Sequence, residues 1–290
     1  MDNRQVISQR LGVQNKNSLG TAPSGYADGY DKNSQDVIVS AFLAAYTGRS
    51  ASSISLNSLP KIPLPNWRLN YRGLTRIGFL AERFSSIDLR HAYRSVYSIN
   101  GFNSLIRYQE SNGSVSSRDE NKNFLPYYQY AQVTIAEQFS PLIGIDTRLK
   151  NNMTANFELG RTRLLGLSLA NSQLAQLSEN NMVFGLGYRT TKFRFPFGMF
   201  KGLKTDNNMD FKLDVAIRDN KTVIYRADIT EAEVSSGAKN ITLRPSVDYV
   251  LNQRFNVRLF YDSNITKPYT SQTFNTSFSN FGFSLRITLN

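Results

Sequence analysis

His91 is the only imidazole in this 290-residue chain and there is no cysteine. Any histidine-based proton transfer would have to centre on that one residue, and it falls between Leu89 and Tyr93 in an apolar frame. Metal sites built from His and Cys are excluded by count. Gly185-Leu-Gly187 opens like a dinucleotide fingerprint, but Tyr-Arg-Thr190 follows and the stretch reads as the inside of a strand. Glycines there mark a close approach or a bend. Alternating polar and aromatic residues also suit a carbohydrate groove, although a polar face edged by aromatic rings is the plainer reading. These residue types point away from an enzyme, a cofactor or a metal, and toward two contrasting surfaces.

Alternation defines those surfaces. From Phe84 to Asn100, Ile87, Leu89, Tyr93, Tyr97 and Ile99 share one parity, and Asp88, Arg90, Arg94, Ser98 and Asn100 share the other. Successive side chains of a strand point to opposite faces, and this run is far longer than an ordinary globular strand. A long strand with an apolar outside and a wet inside is what a membrane barrel requires. The net charge of +12 would suit nucleic acid if the basic residues clustered. Instead they alternate beside acids, as in Asp210, Lys212, Asp214 and Arg218. Mean hydropathy is −0.37, and the longest apolar run, Ala41-Phe-Leu-Ala-Ala-Tyr46, is too short for a membrane helix. No apolar stretch follows Met1-Asp-Asn-Arg4 to make a signal peptide, so a barrel reading implies a piece of a longer polypeptide.

Taken in order, residues 1 to 35 read as irregular, and Asp36 as the cap of a short buried helix, Val37 to Tyr46. Pro60, Pro63 and Pro65 forbid regular structure ahead of the alternating Asn66-Trp-Arg-Leu-Asn-Tyr71. Gly73 to Arg83 reads equally as helix or turn. Residues 101 to 123 form a hydrophilic loop; 126 to 138 form a strand with Ala131, Val133 and Ile135 outward; Ser140-Pro141 turns into Leu142 to Leu149; Lys150-Asn-Asn152 turns again. In the run from Met153, Arg161 and Arg163 share the parity of Phe157, Leu159, Leu165 and Leu167. Either a bulge near Gly160 shifts the register or both arginines stand above the apolar layer, where they avoid a cost of about 2–4 kcal/mol each. Residues 170 to 181 and 230 to 240 read as loops, Asp219-Asn220 as a hairpin turn, and Asn252-Gln-Arg254 as another.

The expected polar, lumen-lining set is Asp88, Arg90, Arg94, Asp210, Lys212, Asp214, Arg218, Arg244, Asp248, Arg258, Asp262 and Arg286, with Arg226 and Asp228 alongside. The expected lipid-facing set is Leu89, Tyr93, Tyr97, Phe211, Leu213, Val215, Ile217, Val257, Leu259, Tyr261, Phe283, Leu285 and Ile287, continued by Val223, Tyr225, Ala227, Ile229, Leu251 and Leu289. The fold class is all-β, with transmembrane antiparallel barrel strands, about ten from Phe84 onward. The chain divides into 1–66, an irregular segment with a short helix packing on the barrel from the periplasm or the lumen, and 67–290, the wall.

Ser34-Gln-Asp-Val37, Ala41-Phe-Leu-Ala-Ala-Tyr46 and above all Ile62-Pro-Leu-Pro-Asn-Trp-Arg-Leu-Asn-Tyr-Arg-Gly-Leu74 resemble the C-terminal part of the SprA/Sov family. Leu89-Arg-His-Ala-Tyr-Arg-Ser-Val-Tyr-Ser-Ile99 and Gly185-Leu-Gly-Tyr-Arg189 add to the resemblance, which runs from Gln35 to the end. That family forms the outer-membrane translocon of the type IX secretion system in Bacteroidetes, a system tied to gliding motility. The resemblance implies one very large single-chain barrel, of which these residues are the C-terminal portion. It further implies a passive conduit for folded cargo proteins, a PorV-like shuttle, plug-like subunits, and an outer-membrane location in contact with lipid. An independent outer-membrane barrel, a porin or an omptin-like protease, is the alternative. A soluble basic β-protein that binds nucleic acid is the third reading, and alternation disfavours it.

Overall fold

The structure, a computed structural model, describes residues 3–59, 65–191, 208–226, 232–250, 255–270 and 273–288. Pro60, Pro63, Ala227, Asp228, Ile229, Leu251, the turn expected at 252–254 and Leu289 lie outside these residues. The chain begins with α1 (Asn3–Gln14) and α2 (Gln35–Thr47). α1 corrects the reading of residues 1 to 35 as irregular: Ile7 and Leu11, four apart and so on one helix face, are both buried. Ser34, not Asp36, is the residue that precedes α2; Asp36 lies in its first turn, and Gly48 follows its last residue with φ 67°, the left-handed cap that glycine adopts without steric cost. β1 (Trp67–Tyr71) follows. Gly73–Arg76 is a 3₁₀ turn and α3 (Gly78–Arg83) a short helix, so both readings of that stretch apply.

β2 (Phe84–Asn100) is the first long strand. The connection after it carries four two-residue strands, β3 (Asn103–Ser104), β4 (Glu110–Ser111), β5 (Ser114–Val115) and β6 (Tyr128–Gln129). Then come β7 (Gln132–Leu149), β8 (Met153–Ser168), β9 (Gln173–Thr190), β10 (Met209–Arg226), β11 (Glu233–Val250), β12 (Phe255–Pro268) and β13 (Thr276–Ile287). One antiparallel sheet joins them in the order β1-β2-β7-β8-β9-β10-β11-β12-β13. The fold is therefore all-β in its main body, an open nine-stranded sheet in which β1 and β13 are edges that do not pair with one another among the described residues.

Eight sheet strands run from Phe84 onward, fewer than expected, because several segments read as loops or turns are strand. β10 passes straight through Asp219-Asn220; β9 starts at Gln173, within the 170–181 segment; β11 starts at Glu233, within 230–240. β7 likewise continues through Ser140-Pro141. The extra residues there, one of them a proline without an N–H, form an irregularity between Phe139 and Ile143 against β8. That bulge lies opposite Gly160, while β8 keeps its own parity from Met153 to Ser168 against β9.

α1, α2 and the 101–131 connection pack together on one face of the sheet at one end of its strands. Their core joins Ile7, Val37, Val39 and Phe42 to Val133, Ile135, Leu165 and Leu167. Val133 and Ile135, expected to face outward, are thus fully covered by protein. Each such buried aliphatic side chain contributes about 1.5–3 kcal/mol. Polar contacts tie the connection to the helices. Arg118 grips Asp28 through Nη1–Oδ1 (3.0 Å) and Nη2–Oδ2 (2.6 Å), and its guanidinium lies 4.2 Å from the Phe124 ring centroid.

The Arg118 hydrogen bonds hold the Asp28 carboxyl down at about 2, so the pair stabilises the folded element above pH 4 and loses that effect as the pH falls toward 2. Asp36 has the opposite sign: burial pushes it up to about 6, so its ionisation opposes folding above pH 6 and ceases to do so as the pH falls toward 4. Protease resistance of the helical element should therefore peak between about pH 4 and 5. Arg118→Ala should remove the acid limb and Asp36→Asn the neutral limb. A flat profile in the unsubstituted chain, or one unchanged by either substitution, would contradict this assignment.

Candidate functional site

Backbone register assigns every strand residue to a face. On one face, Leu89, Ile145, Phe157, Phe184, Val215 and Leu243 stand in a row across six strands. Two residues further along, Ile143, Leu159, Met182, Ile217, Ile241 and Ile265 make another. The next row is Trp67, Tyr93, Phe139, Arg161, Asn180, Asp219, Lys239 and Lys267. The apolar surface stops there, within one step of the pleat, first at a run of tilted, touching rings and then at charges. Trp67 and Tyr93 are 4.6 Å apart and Tyr93 and Phe139 4.7 Å, centroid to centroid. In the other direction the apolar rows continue to Met209, Tyr249, Val257 and Leu285. From Met209 to Ile217 this belt extends for about 27 Å of strand at ~3.4 Å per residue.

Thirteen residues of the expected lipid-facing set, Leu89, Tyr93, Tyr97, Phe211, Leu213, Val215, Ile217, Val257, Leu259, Tyr261, Phe283, Leu285 and Ile287, lie on this face. Tyr97 lies past the rim, under the N-terminal element, and its hydroxyl donates to the Ser58 carbonyl at 2.6 Å. The position expected to meet lipid is therefore covered by protein. Arg161 lies at the rim and Arg163 past it, both on the belt face and outside the aliphatic rows, as one of their two sequence readings required. Arg163 Nε donates to Glu137 Oε2 at 2.7 Å, and the Tyr46 and Tyr93 hydroxyls donate to Glu137 Oε1 at 2.9 and 3.0 Å. Burial, then this carboxylate, pushes the Tyr46 hydroxyl up to about 12. Sequence reading missed Glu137. Its one signal is that it lies on the parity of Val133 and Ile135, where a charge needs a partner.

The opposite face holds Asp88, Arg90, Arg94, Asp210, Lys212, Asp214, Arg218, Arg244, Asp248, Arg258, Asp262 and Arg286 together, as expected. One row runs Asp88, Asp146, Asn156, Gly185, Asp214, Arg244. Like charges placed directly opposite repel, and arginines relieve them. Asp88 faces Asp146, with Arg72 on the first and Arg90 on the second, each at 2.8 Å. Asp210 faces Asp248; Arg189 binds the first at two points, 2.5 and 2.9 Å, and Arg258 approaches the second at 3.8 Å. Arg218 reaches Glu179 at 2.7 Å and Arg244 reaches Asp262 at 3.5 Å. These charges pair along the sheet with neighbouring strands, not across an enclosed space. Such exposed pairs contribute about 0–1 kcal/mol each, so what they achieve is a polar surface of nearly balanced charge.

Gly185 and Gly187 belong to this face. A methyl at Gly185 would collide with Asn156 Oδ1, and one at Gly187 would sit 2.5 Å from Thr154 Oγ1. The glycines let polar side chains of β8 lie across β9, which is the close approach expected of them. His91 is on the belt face, its Nδ1–H donating to the Leu142 carbonyl at 2.6 Å beside the β7 bulge. It fixes an irregular stretch of backbone there. Among the described residues no cluster of three His, Asp or Glu side chains could hold a metal ion, and no helix is long and apolar enough to cross a membrane. The geometry does one thing: it separates an apolar belt from a charged surface by the thickness of a single sheet. Comparison with protein-family models and with curated protein sequences returned no match for this chain.

Proposed function

We propose that the sheet is a section of the wall of an outer-membrane β-barrel, with the belt against lipid and the charged face toward a water-filled lumen. The rim carries this reading. An apolar band about 25 Å tall, closed by aromatic residues and backed by a polar face, is what the hydrocarbon layer demands of strands. Five adjacent strands changing from aliphatic to polar in the same row have no need to do so in a soluble sheet. The open edges favour a section of a larger wall over a small barrel complete in itself, because bare strand edges are not tolerated in lipid. Together with the SprA/Sov resemblance, they support a wall section of the type IX protein-conducting channel, a passive conduit whose charged face passes folded cargo toward a PorV-like partner.

In this reading the N-terminal element lies at the cell surface, because it shares its end of the strands with the long 101–131 connection, while the tight turn at 150–152 is at the other end. Barrels keep short turns in the periplasm and long loops outside; the long 191–208 connection at one end and the short 169–172 turn at the other are the exceptions here. On this reading the element lies outside the wall, on the lipid side beyond the headgroups, where the sequence alone suggested the periplasm or the lumen. Photo-crosslinking in living cells tests the function. A crosslinker at Asp214 should capture secreted protein in transit, one at Leu213 should capture lipid, and Ser53→Cys should react with an impermeant label added to intact cells. Capture of cargo from Leu213 and not from Asp214 would reverse the faces. A self-contained conducting pore with no cargo adduct would favour the independent barrel.

A further inference from the structure

Between the N-terminal element and the 101–131 connection lies a cleft of about 700 Å³, within the usual range for small-molecule sites. Asn33, Asn103, Arg107, Asn121 and Gln129 line it and are exposed. Their side chains make no hydrogen bond to protein among the described residues. The groups behind them are fully committed. Asp31 accepts from the Asn33 N–H (2.7 Å) and Asn123 Nδ2 (2.9 Å), and Asn123 Oδ1 accepts from the Asp31 N–H (3.0 Å). This reciprocal pair spans 92 residues of sequence and fixes the two walls to one another. Asn103 and Gln129 face each other in the β3–β6 pair, whose flank is stiffened by the Phe102–Tyr128 and Tyr127–Tyr128 ring contacts at 6.0 and 4.6 Å. The free amides therefore stand on a braced frame.

Adjacent amides present donors and acceptors side by side, which is the pattern that vicinal hydroxyls answer. Leu125, Pro126 and Tyr130 supply apolar wall for the C–H face of a ring. The lining carboxylates, Asp31 and Asp119, outnumber the one cation, Arg107, so a phosphate or nucleotide is disfavoured. We propose that this cleft binds an uncharged, hydroxyl-rich saccharide. The inference rests on the cleft alone and does not require the barrel reading.

The test is saturation-transfer NMR on the full chain in an amine-oxide detergent, since a maltoside would itself compete. Maltohexaose, chitotetraose and the deacylated oligosaccharide of a lipopolysaccharide serve as probes. Saturable binding of one of the two neutral sugars is expected, with at least a tenfold loss of affinity in the double variant Asn103→Ala/Gln129→Ala and little change in Arg107→Ala. Should the double variant lose its protease resistance, Asn121→Ala decides, with a several-fold loss expected. No saturable binding of a neutral sugar, or undiminished affinity in these amide variants, overturns the proposal. Binding of the phosphorylated lipopolysaccharide oligosaccharide alone, abolished by Arg107→Ala, overturns it in favour of an anion site.

Discussion

Leu213→Arg is expected to lower the stability of the assembled sheet by about 2–4 kcal/mol, and Asp214→Asn by less than about 1. The two residues are neighbours in β10 and differ only in the face they occupy. Leu213 stands between Leu186 and Pro245, well inside the belt, with Phe211 and Val215 on either side along the strand. A guanidinium there has neither a carboxylate in reach nor a short path past the rim. Asp214 stands between Gly185 and Arg244 and makes no ion pair of its own among the described residues. Loss of its charge therefore leaves no buried partner stranded. Urea titration of the protein folded into lipid vesicles, read by heat modifiability on gels, measures both. Equal losses, or a greater loss from Asp214→Asn, would remove the assignment of faces.

Ile135→Ala should have an effect of similar size on a different part of the molecule. Ile135 is 1 % exposed and packs in the core shared by β7, β8 and α2. Truncating a fully buried isoleucine costs about 2–5 kcal/mol, the range reflecting how far the cavity collapses. Here the strand side is held by ladders to β2 and β8, so α2 is the element free to move. Limited proteolysis should then cut within residues 15–34 or 48–59 while the sheet stays intact. Hydrogen exchange along α2 should rise before that of β10. If the sheet and the helices lose protection together, the element is not a separable unit resting on the wall.

Much of the sheet was legible because of the belt, and its limits follow from the same cause. Between Met209 and Arg218 the parity of aliphatic and charged residues is clean because one face is apolar and the other wet. Past the rim both faces of the sheet meet water or the helical element. There Asp219, Asn220 and Lys221 continue β10 with no alternation left to read, and the same holds for Gln173 to Ser178 in β9 and Glu233 to Asn240 in β11. Turn-type composition at those positions reflects solvent on both sides, not a bend. Asp219 instead accepts from the Tyr269 hydroxyl at 2.8 Å, and Asn220 from the Ala238 N–H at 2.8 Å. The ion-pair partners Asp146, Glu179 and Arg189 were recoverable in principle, since each shares the polar parity of its strand. Pairing them needed the register, which the uncertain turns had hidden. The cleft was least legible, because Asn33, Asn103, Asn121 and Gln129 meet only through contacts between distant segments.

The overrun of the strands also matters mechanically. From Arg218 to Arg226, β10 continues for roughly 27 Å of backbone beyond the last apolar row, hydrogen-bonded along much of that length to β9 and β11. In the proposed membrane orientation a sheet so extended would stand above the bilayer as a parapet, with the helical element packed behind it against β7 and β8. A protein moving along the charged face would clear the lipid headgroups well before it reached the top of the wall. During that last stretch it would be shielded on that side from neighbouring molecules on the cell surface. In that orientation the height of the parapet would set a minimum reach for anything that must take hold of a departing molecule from outside.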